Sequence, residues 1–328
     1  MSRSALRLER DREWEARADI GAHENGTDVA VADDGHVCFL TRRPALIALF
    51  EPDGAAVATW DALHLSTKPH GVTVGEGGRV YVVDEGDYIV KILDRTGELE
   101  AIIGEPGHPS DTGIDASLPT NAARLASMAP EGGPPFNRPT KLAVGTNGDL
   151  YVSDGYGNCR VHRFSPGGEL IASWGRSGIG PGEFHLPHSI AADQQGRVLV
   201  ADRDNDRVQL FDLDGNYVGA LVDLHRPAAV AVGPDGLIYV GELAVAAGRL
   251  SFVQGPAADA MPARISVFDA DGDLVARREA DTFGPAGLTS PHGIAVDADH
   301  NVYIAQLPGE GGSGSDATAP SLMRLTRH

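Results

Sequence analysis

Three histidines occupy the same short motif at three widely separated points of the chain. The motif is a proline, a histidine, a small residue and a β-branched aliphatic residue, and its histidines are His70, His188 and His292. Imidazole nitrogens are common zinc ligands, and a catalytic zinc site has three protein ligands with a fourth position left open. If the fold brings these rings together, the sequence predicts a zinc site of the catalytic type.

An internal repeat accounts for the recurrence of this motif. Each copy contains two alternating apolar segments joined by a glycine-containing turn, followed by a third apolar segment. Six copies are present, 40 to 70 residues apart, and the three intervening copies carry Thr27, Thr140 and Ala228 at the histidine position. Short strands repeating with such a period are typical of β-propellers. The sequence therefore predicts an all-β fold, a six-bladed β-propeller, with the histidines on alternate blades.

The elements that must position these histidines are the first strands of the blades, which line the central channel of a propeller. Histidines at one register on blades two, four and six would point at one another from three sides. The alternative is that they are ordinary histidines beside prolines at strand starts. Other histidines lack this register, and we expect them to be solvated, at turns or in insertions: His64, His108, His185, His225 and His300.

We expect residues 1–328 to form a single propeller domain with insertions around residues 104–136 and 244–262. Either insertion is a candidate to cover the site, since long loops on a rigid scaffold commonly carry specificity. The last blade has three strand-like segments, at residues 293–297, 301–305 and 321–326. Residues 5–15 would add a fourth strand, so that the N- and C-terminal strands close the ring and cover an exposed edge.

Composition narrows the classes of partner. The net charge of −19 argues against nucleic acid, which requires clustered cations. The N-terminal segment lacks the apolar stretch of a signal peptide, and no run is long enough to span a membrane. Cys38 and Cys159 fall on different blades, so we expect two free thiols and a cytoplasmic location. The expected partner is a small-molecule or peptide-like substrate, and the sequence does not indicate an oligomeric state.

Three aspartates end the second strand of their blades, fourteen residues after the histidine register. They are Asp84, Asp154 and Asp202. We expect each carboxylate to accept backbone N–H groups of the following turn. A role in orienting a metal-bound imidazole is left open.

Several segments carry a family resemblance. The run Phe-Asn-Arg-Pro-Thr-Lys-Leu-Ala-Val at 136–144, the turn Asp-Gly-Tyr-Gly-Asn at 154–158 and the run Pro-Gly-Glu-Phe-His-Leu-Pro-His at 181–188 resemble peptidyl-α-hydroxyglycine α-amidating lyases. That family consists of six-bladed propellers of NHL repeats, which implies an NHL-type fold here. The resemblance covers blades one to four and the Pro-His motif of blade six, whereas blade five matches only as a generic repeat.

The resemblance implies a set of site residues and a reaction. It implies that the three histidines of the shared motif bind zinc and that Tyr156 acts on the substrate hydroxyl. It also implies that Arg42 and Arg203 are active-site arginines. The zinc would acidify the hydroxyl of a carbinolamide, whose C–N bond then breaks to give an amide and an aldehyde. The guanidiniums would bind a carboxylate or stabilise developing negative charge. Taken alone, each arginine could equally be a solvated charge and Tyr156 a packed turn residue.

The chain also departs from that family. The acid that follows the third histidine and contributes to a calcium site is replaced by Gly293, which leaves calcium without one of its ligands. A methionine near this histidine is replaced by Ser290, and a cysteine pair near the tyrosine by Asn137 and Gly157. No copper monooxygenase domain precedes the propeller in this sequence, which is compatible with the same chemistry on a different substrate.

The sequence thus leads to one hypothesis and two alternatives. The hypothesis is a zinc-dependent lyase that cleaves the C–N bond of an α-hydroxylated amide to an amide and an aldehyde such as glyoxylate, with a peptide-like carboxylated substrate. The first alternative is a zinc hydrolase or hydratase on another small substrate, since three histidines and an open position permit either. The second is a non-catalytic NHL propeller that serves as a binding scaffold for a protein or glycan.

Overall fold

Six four-stranded antiparallel sheets form the protein, and their innermost strands pack side by side in a closed ring. The structure is a computed structural model that describes residues 6–19, 24–61, 63–129, 132–284, 287–307 and 319–328. This arrangement confirms the six-bladed β-propeller.

The chain begins with a strand, β1 (Leu8–Arg10), and a helix, α1 (Arg12–Ala18), and then forms the blades in order. From the channel outward, blade one contains β2 (Glu24–Val31), β3 (Val37–Arg43), β4 (Ala45–Phe50) and β5 (Ala56–Trp60), and blade two contains β6 (Pro69–Val74), β7 (Val80–Asp84), β8 (Ile89–Leu93) and β9 (Leu99–Ile103). Helix α2 (Asn121–Ser127) precedes blade three, which contains β10 (Lys141–Val144), β11 (Leu150–Asp154), β12 (Arg160–Phe164) and β13 (Leu170–Trp174). Blade four contains β14 (Pro187–Ala192), β15 (Arg197–Asp202), β16 (Arg207–Asp212) and β17 (Tyr217–Leu221).

Blade five contains β18 (Pro227–Val232), β19 (Ile238–Glu242), β22 (Arg264–Phe268) and β23 (Leu274–Glu279), and it is interrupted by a small hairpin of β20 (Leu250–Ser251) and β21 (Gly255–Pro256). Blade six contains β24 (Pro291–Val296), β25 (Val302–Gln306) and β26 (Leu322–Arg327), with β1 as its outermost strand. Short 3-10 turns lie at Glu76–Gly78, Arg203–Asn205 and Ala280–Phe283.

The hydrophobic core consists of six clusters, one between each pair of neighbouring blades. The second strand of blade two, Val80–Asp84, is buried at every position because the sheet is covered on both faces. The outermost strand Leu99–Ile103 is mostly exposed. Burial between blades therefore stabilises the ring as a whole, and it holds the inner strands in fixed positions around the channel.

The ring closes through the two ends of the chain, as predicted. Strand β1 pairs with β26, with Leu8 opposite Arg327. The predicted closing segment, residues 5–15, is wrong in its extent, because the strand ends at Arg10 and residues 12–18 form helix α1. Asp11 explains the change: its side chain accepts the N–H of Trp14 and caps the helix. Residue 5 lies outside the described residues.

Two long segments lie outside the regular strands of the blades, in the regions around residues 104–136 and 244–262. The first, between β9 and β10, contains α2, and its Leu125 packs into the cluster between blades three and four. The second contains the β20–β21 hairpin and is closed by a bridge between Val245 and Met261. Among the described residues, no helix is both long and apolar enough to cross a membrane.

Candidate metal centre

The three histidines of the repeat motif meet on the channel axis. His70, His188 and His292 lie near the starts of β6, β14 and β24, and all three are buried. Their potential ligand atoms lie within 4.8 Å of one another, and their ring centroids are 4.6 to 4.8 Å apart. The structure therefore brings together the set that the repeat register selects, in an arrangement that can bind a metal ion. We call these residues the histidine triad.

A local irregularity of the inner strand aims each of these side chains. The pairing register of the inner strand with the second strand shifts at each histidine: between Pro69 and Gly71, between Pro187 and Ser189, and between Pro291 and Gly293. A β-bulge leaves one residue unpaired and redirects its side chain. The histidine is that residue in each of the three blades, which explains why a side chain at this register points along the channel.

Each imidazole is fixed by the main chain of the next blade. The Nδ1 atom of His70 donates to the carbonyl of Thr140 at 2.8 Å, and that of His188 donates to Ala228 at 2.6 Å. His292 donates in the same way to Thr27 at 2.7 Å. Because a carbonyl can only accept, Nδ1 carries the proton in each ring and Nε2 keeps its lone pair. Three Nε2 lone pairs are thus available as metal ligands.

The surroundings of two of these rings keep them neutral. Burial, reinforced by His292 and Arg42, holds the pKa of His70 well below its usual range. Burial, reinforced by Arg203, does the same to the pKa of His188. Neutral imidazole is the form that binds zinc, and nitrogen donors are among the ligands that zinc prefers. The donor set therefore fits a zinc ion.

The Tyr156 hydroxyl lies directly beside the histidine triad. It is 3.1 Å from Nε2 of His188 and 3.4 Å from Nε2 of His70. Nη1 of Arg203 donates to the same oxygen at 3.3 Å, and the guanidinium carbon lies 5.4 Å from the tyrosine ring centroid. Tyr156 follows β11 and Arg203 follows β15, so two neighbouring blades contribute them.

Arg42, at the end of β3, reaches the same region from blade one. Its Nε donates to the carbonyl of Pro69 at 3.2 Å, next to His70, and its Nη2 donates to Glu85 at 3.5 Å. The ends of the second strands of blades one, three and four thus place Arg42, Tyr156 and Arg203 around one end of the triad. Guanidinium groups in such a position can bind a carboxylate.

Two residues that contact the predicted site side chains, Glu85 and Arg138, were not predicted from the sequence. Glu85 is buried and accepts hydrogen bonds from both Arg42 and Arg138, and Arg138 places its guanidinium carbon 4.7 Å from the Tyr156 ring centroid. The repeat carries a signal for the glutamate: Glu85 stands fifteen residues after His70, at the offset by which Arg42 follows Thr27. Arg138 lies within the run at 136–144 that carries the family resemblance, but the sequence does not show its left-handed φ of 68°, two residues before Thr140.

The three strand-ending aspartates accept backbone N–H groups, but not from the turn that follows. The donors belong to the loop that enters the inner strand of the same blade: Ser66 for Asp84, Asn137 for Asp154 and His185 for Asp202. The predicted location was wrong because this loop returns beside the strand end. The aspartates do not orient the triad, since carbonyl groups take its Nδ1 protons.

Three of the other histidines, His162, His185 and His225, are buried, which contradicts the expectation that they are solvated. His185 stacks on Phe252 of the second insertion, with ring centroids 3.8 Å apart, and His225 contacts the carbonyl of Pro262 at 3.0 Å. The same insertion covers both, and a repeat pattern cannot show where an insertion packs. His64 and His108 are exposed as expected.

The fold and the site together place this protein among six-bladed propellers that carry a candidate metal site on the channel axis. A family model described as the NHL repeat matches residues 136–164 and 184–211, in blades three and four. NHL repeat-containing protein 3 of Homo sapiens is 32% identical over 277 residues, which cover 80% of this chain and 70% of that protein. The chain belongs to the NHL repeat family.

Two further comparisons concern proteins named as lyases. Peptidyl-alpha-hydroxyglycine alpha-amidating lyase 1 of Drosophila melanogaster is 30% identical over 282 residues, which cover 81% of this chain. The match spans 47% of the fly protein, about half of its length. A solved streptogramin B lyase aligns with a TM-score of 0.60 at 14% identity, covering 98% of this chain and 97% of the other. At that identity the likeness shows the fold alone.

Proposed function

We propose that this chain is a zinc-dependent carbon–nitrogen lyase that converts an α-hydroxylated amide into an amide and an aldehyde such as glyoxylate. The observation that carries the proposal is the Tyr156 hydroxyl, which lies within 3.4 Å of two imidazole nitrogens of the triad. A proton-transferring group beside a metal-type site is what the cleavage of a carbinolamide requires. The similarity to the fly amidating lyase supports the same reaction class.

The histidine triad would hold the ion through its three Nε2 atoms. Zn²⁺, when bound, would supply Lewis acidity to the substrate hydroxyl. The chain's own contribution is a prearranged ligand set, because the carbonyls of Thr27, Thr140 and Ala228 fix the tautomer and orientation of each ring.

Tyr156 would move the proton that the reaction displaces. In its phenolate form, its oxygen takes the proton of the substrate hydroxyl while the C–O bond becomes a carbonyl and the C–N bond breaks. The proton then passes to the departing amide nitrogen, so the reaction consumes no other reagent. Arg203, which donates to the tyrosine oxygen, orients this oxygen and stabilises the negative charge of the phenolate that accepts the proton.

Charge around the triad favours a substrate with a carboxylate. The guanidiniums of Arg42, Arg138 and Arg203 lie at this end of the channel, and the buried carboxylates of Glu85 and Asp204 accompany them. The guanidiniums outnumber these carboxylates, so an anionic group is favoured here, and an α-hydroxyglycine-type substrate supplies one. We therefore propose a peptide-like carboxylated substrate rather than nucleic acid or membrane. The buried free thiols of Cys38 and Cys159 fit a reducing compartment such as the cytoplasm.

A non-catalytic scaffold is the second candidate, and a relative favours it. The human protein that is 32% identical to this chain carries a name that states repeats and no activity. In a scaffold the loops around the rim would hold a partner, and the triad would contribute only to the interior of the channel.

Metal analysis combined with a product assay separates these candidates. We expect about one zinc per chain in the purified protein and loss of that zinc in His188→Ala. Glyoxylate should be released from N-acyl α-hydroxyglycine by the parent and not by His188→Ala. His162→Gln is the matched control, since His162 is buried in β12 and bonds Ser173 and Asn158 away from the triad.

Each contrary result has a distinct meaning. Absence of stoichiometric metal after reconstitution would refute the zinc site. Stoichiometric zinc without turnover of any α-hydroxyglycine derivative would refute the lyase. Partner binding that survives His188→Ala would then support the scaffold.

A further inference from the structure

An ion pair between a buried aspartate and a half-buried lysine crosses the channel one residue away from the histidine register. Asp28 follows Thr27 on β2, and Lys141 follows Thr140 on β10, so the pair joins blades one and three. Nζ of Lys141 lies 2.5 Å from Oδ2 of Asp28. The same carboxylate oxygen accepts the N–H of Val72 in blade two at 2.8 Å. One carboxylate thus connects three consecutive inner strands beside the triad.

This carboxylate also fills the space beside Gly293. A Cβ atom built on Gly293 would overlap Oδ1 and Cα of Asp28. An acidic side chain at position 293, next to His292, therefore cannot coexist with Asp28 in this channel. One residue after the histidine register, blade one therefore contributes the carboxylate of Asp28, whereas blade six contributes Gly293.

A calcium ion does not fit these residues. At this level the six blades present Asp28, Gly71, Lys141, Ser189, Ala229 and Gly293. Calcium takes six to eight oxygen ligands, mostly carboxylates and carbonyls. Here a single carboxylate is available, and an ammonium group already contacts it. A divalent cation at this carboxylate would face a like charge a few ångströms away, in a buried setting where screening is weak.

We infer that the Lys141 ammonium serves as an internal cation at this level of the channel, in place of the calcium that the amidating-lyase resemblance implies. The ion pair links blades one, two and three, and the chain folds and keeps its triad without calcium. Burial raises the pKa of Asp28 and the Lys141 ammonium opposes this effect, which agrees with a carboxylate that depends on its partner. The inference concerns the channel and does not depend on the reaction.

The first test measures calcium on the intact protein. The purified chain is equilibrated with CaCl2, separated from free ions and analysed for calcium and zinc, and its Tm is recorded with and without added CaCl2. We expect no stoichiometric calcium and the same Tm in both conditions. About one calcium per chain, or a calcium-dependent rise in Tm of more than roughly 3 °C, which corresponds to about 2 kcal/mol, would overturn the inference.

The second test measures the coupling of the two charges. Lys141→Met should lower the Tm by roughly 5–10 °C, because it leaves the Asp28 carboxylate buried without its cation. Adding Asp28→Asn should restore at least half of this loss, since the amide can still accept from Val72 and carries no charge. A double variant no more stable than Lys141→Met would overturn the inference.

Lys91 supplies the matched control. It is also buried, and its Nζ donates to the carbonyls of Leu63 and His64 rather than to a carboxylate. Lys91→Met should lower the Tm, and its effect should simply add to that of Asp28→Asn because the two sites share no partner. If Lys141→Met fails to fold, Lys141→Arg replaces it. This charge-preserving variant should fold and bind no calcium, and calcium binding by it would count against the inference.

Discussion

Replacing Tyr156 by phenylalanine removes one oxygen atom from the candidate site and leaves the rest of it intact. The hydroxyl contacts Nε2 of His188 at 3.1 Å and accepts from Arg203 at 3.3 Å. A positioned proton-transfer group contributes about 10²- to 10⁴-fold to a rate, which corresponds to about 3–5 kcal/mol in the activation free energy. The hydrogen bonds themselves contribute only about 1 kcal/mol to stability. We therefore expect kcat to fall at least 100-fold while the Tm falls by less than roughly 4 °C.

The assay combines glyoxylate release from an N-acyl α-hydroxyglycine with zinc analysis and calorimetry on the same preparations. Zinc content should not change, because carbonyl groups orient the triad without the tyrosine. Tyr151→Phe is the control: Tyr151 is buried in the same blade and its hydroxyl donates to the carbonyl of Leu213 at 2.9 Å. It should show a similar loss of Tm and full activity. A Tyr156→Phe protein that keeps its activity within tenfold, or that loses its zinc, would refute the assignment of the proton transfer.

Three further predictions concern charges and thiols. Glu85→Gln should lower the Tm by roughly 3–6 °C, because the guanidiniums of Arg42 and Arg138 lose their buried carboxylate partner. Calorimetry checks this prediction, and a Tm within 1 °C of the parent would contradict it. Burial raises the pKa of both Cys38 and Cys159 to about 12, so neither thiol should react with Ellman's reagent at pH 8 until denaturant is added, when two per chain should react. Burial lowers the pKa of His225 from 6.5 to about 4, so its contribution to stability is present above pH 6.5 and is lost as the pH falls towards 4. Urea unfolding at pH 7 and pH 4 should show that His225→Gln loses about 3 kcal/mol less than the parent over this interval, and equal losses would show that the histidine does not titrate in this way.

Register explains why the triad could be predicted from the sequence. In a propeller, a given position of the repeat recurs at one depth of the channel, so counting residues is equivalent to locating them. This is why His70, His188 and His292 could be selected without a model of the channel. The same reasoning would also have selected Glu85, since it shares the offset of Arg42 and Arg203 from the register.

Interactions that depend on packing between distant segments could not be predicted in this way. The stacking of Phe252 on His185 depends on where the second insertion folds, and an insertion has no register. The Arg138 guanidinium lies over the Tyr156 ring, and this contact depends on the left-handed backbone of Arg138. Such a backbone is unusual in residues other than glycine. The helix at residues 12–18 depends on a cap by Asp11 in a segment whose alternating pattern also suits a strand.

The bond between His292 and the carbonyl of Thr27 crosses the seam at which the chain closes on itself. His292 belongs to the last blade and Thr27 to the first, and strand β1 completes the last blade by pairing with β26. Separation of the first and last blades would therefore move one of the three candidate ligands while the other two stayed in place. If the triad binds a metal ion as proposed, its affinity for that ion would depend on the closure of this seam. Measuring bound metal would then detect opening of the seam without unfolding of a blade.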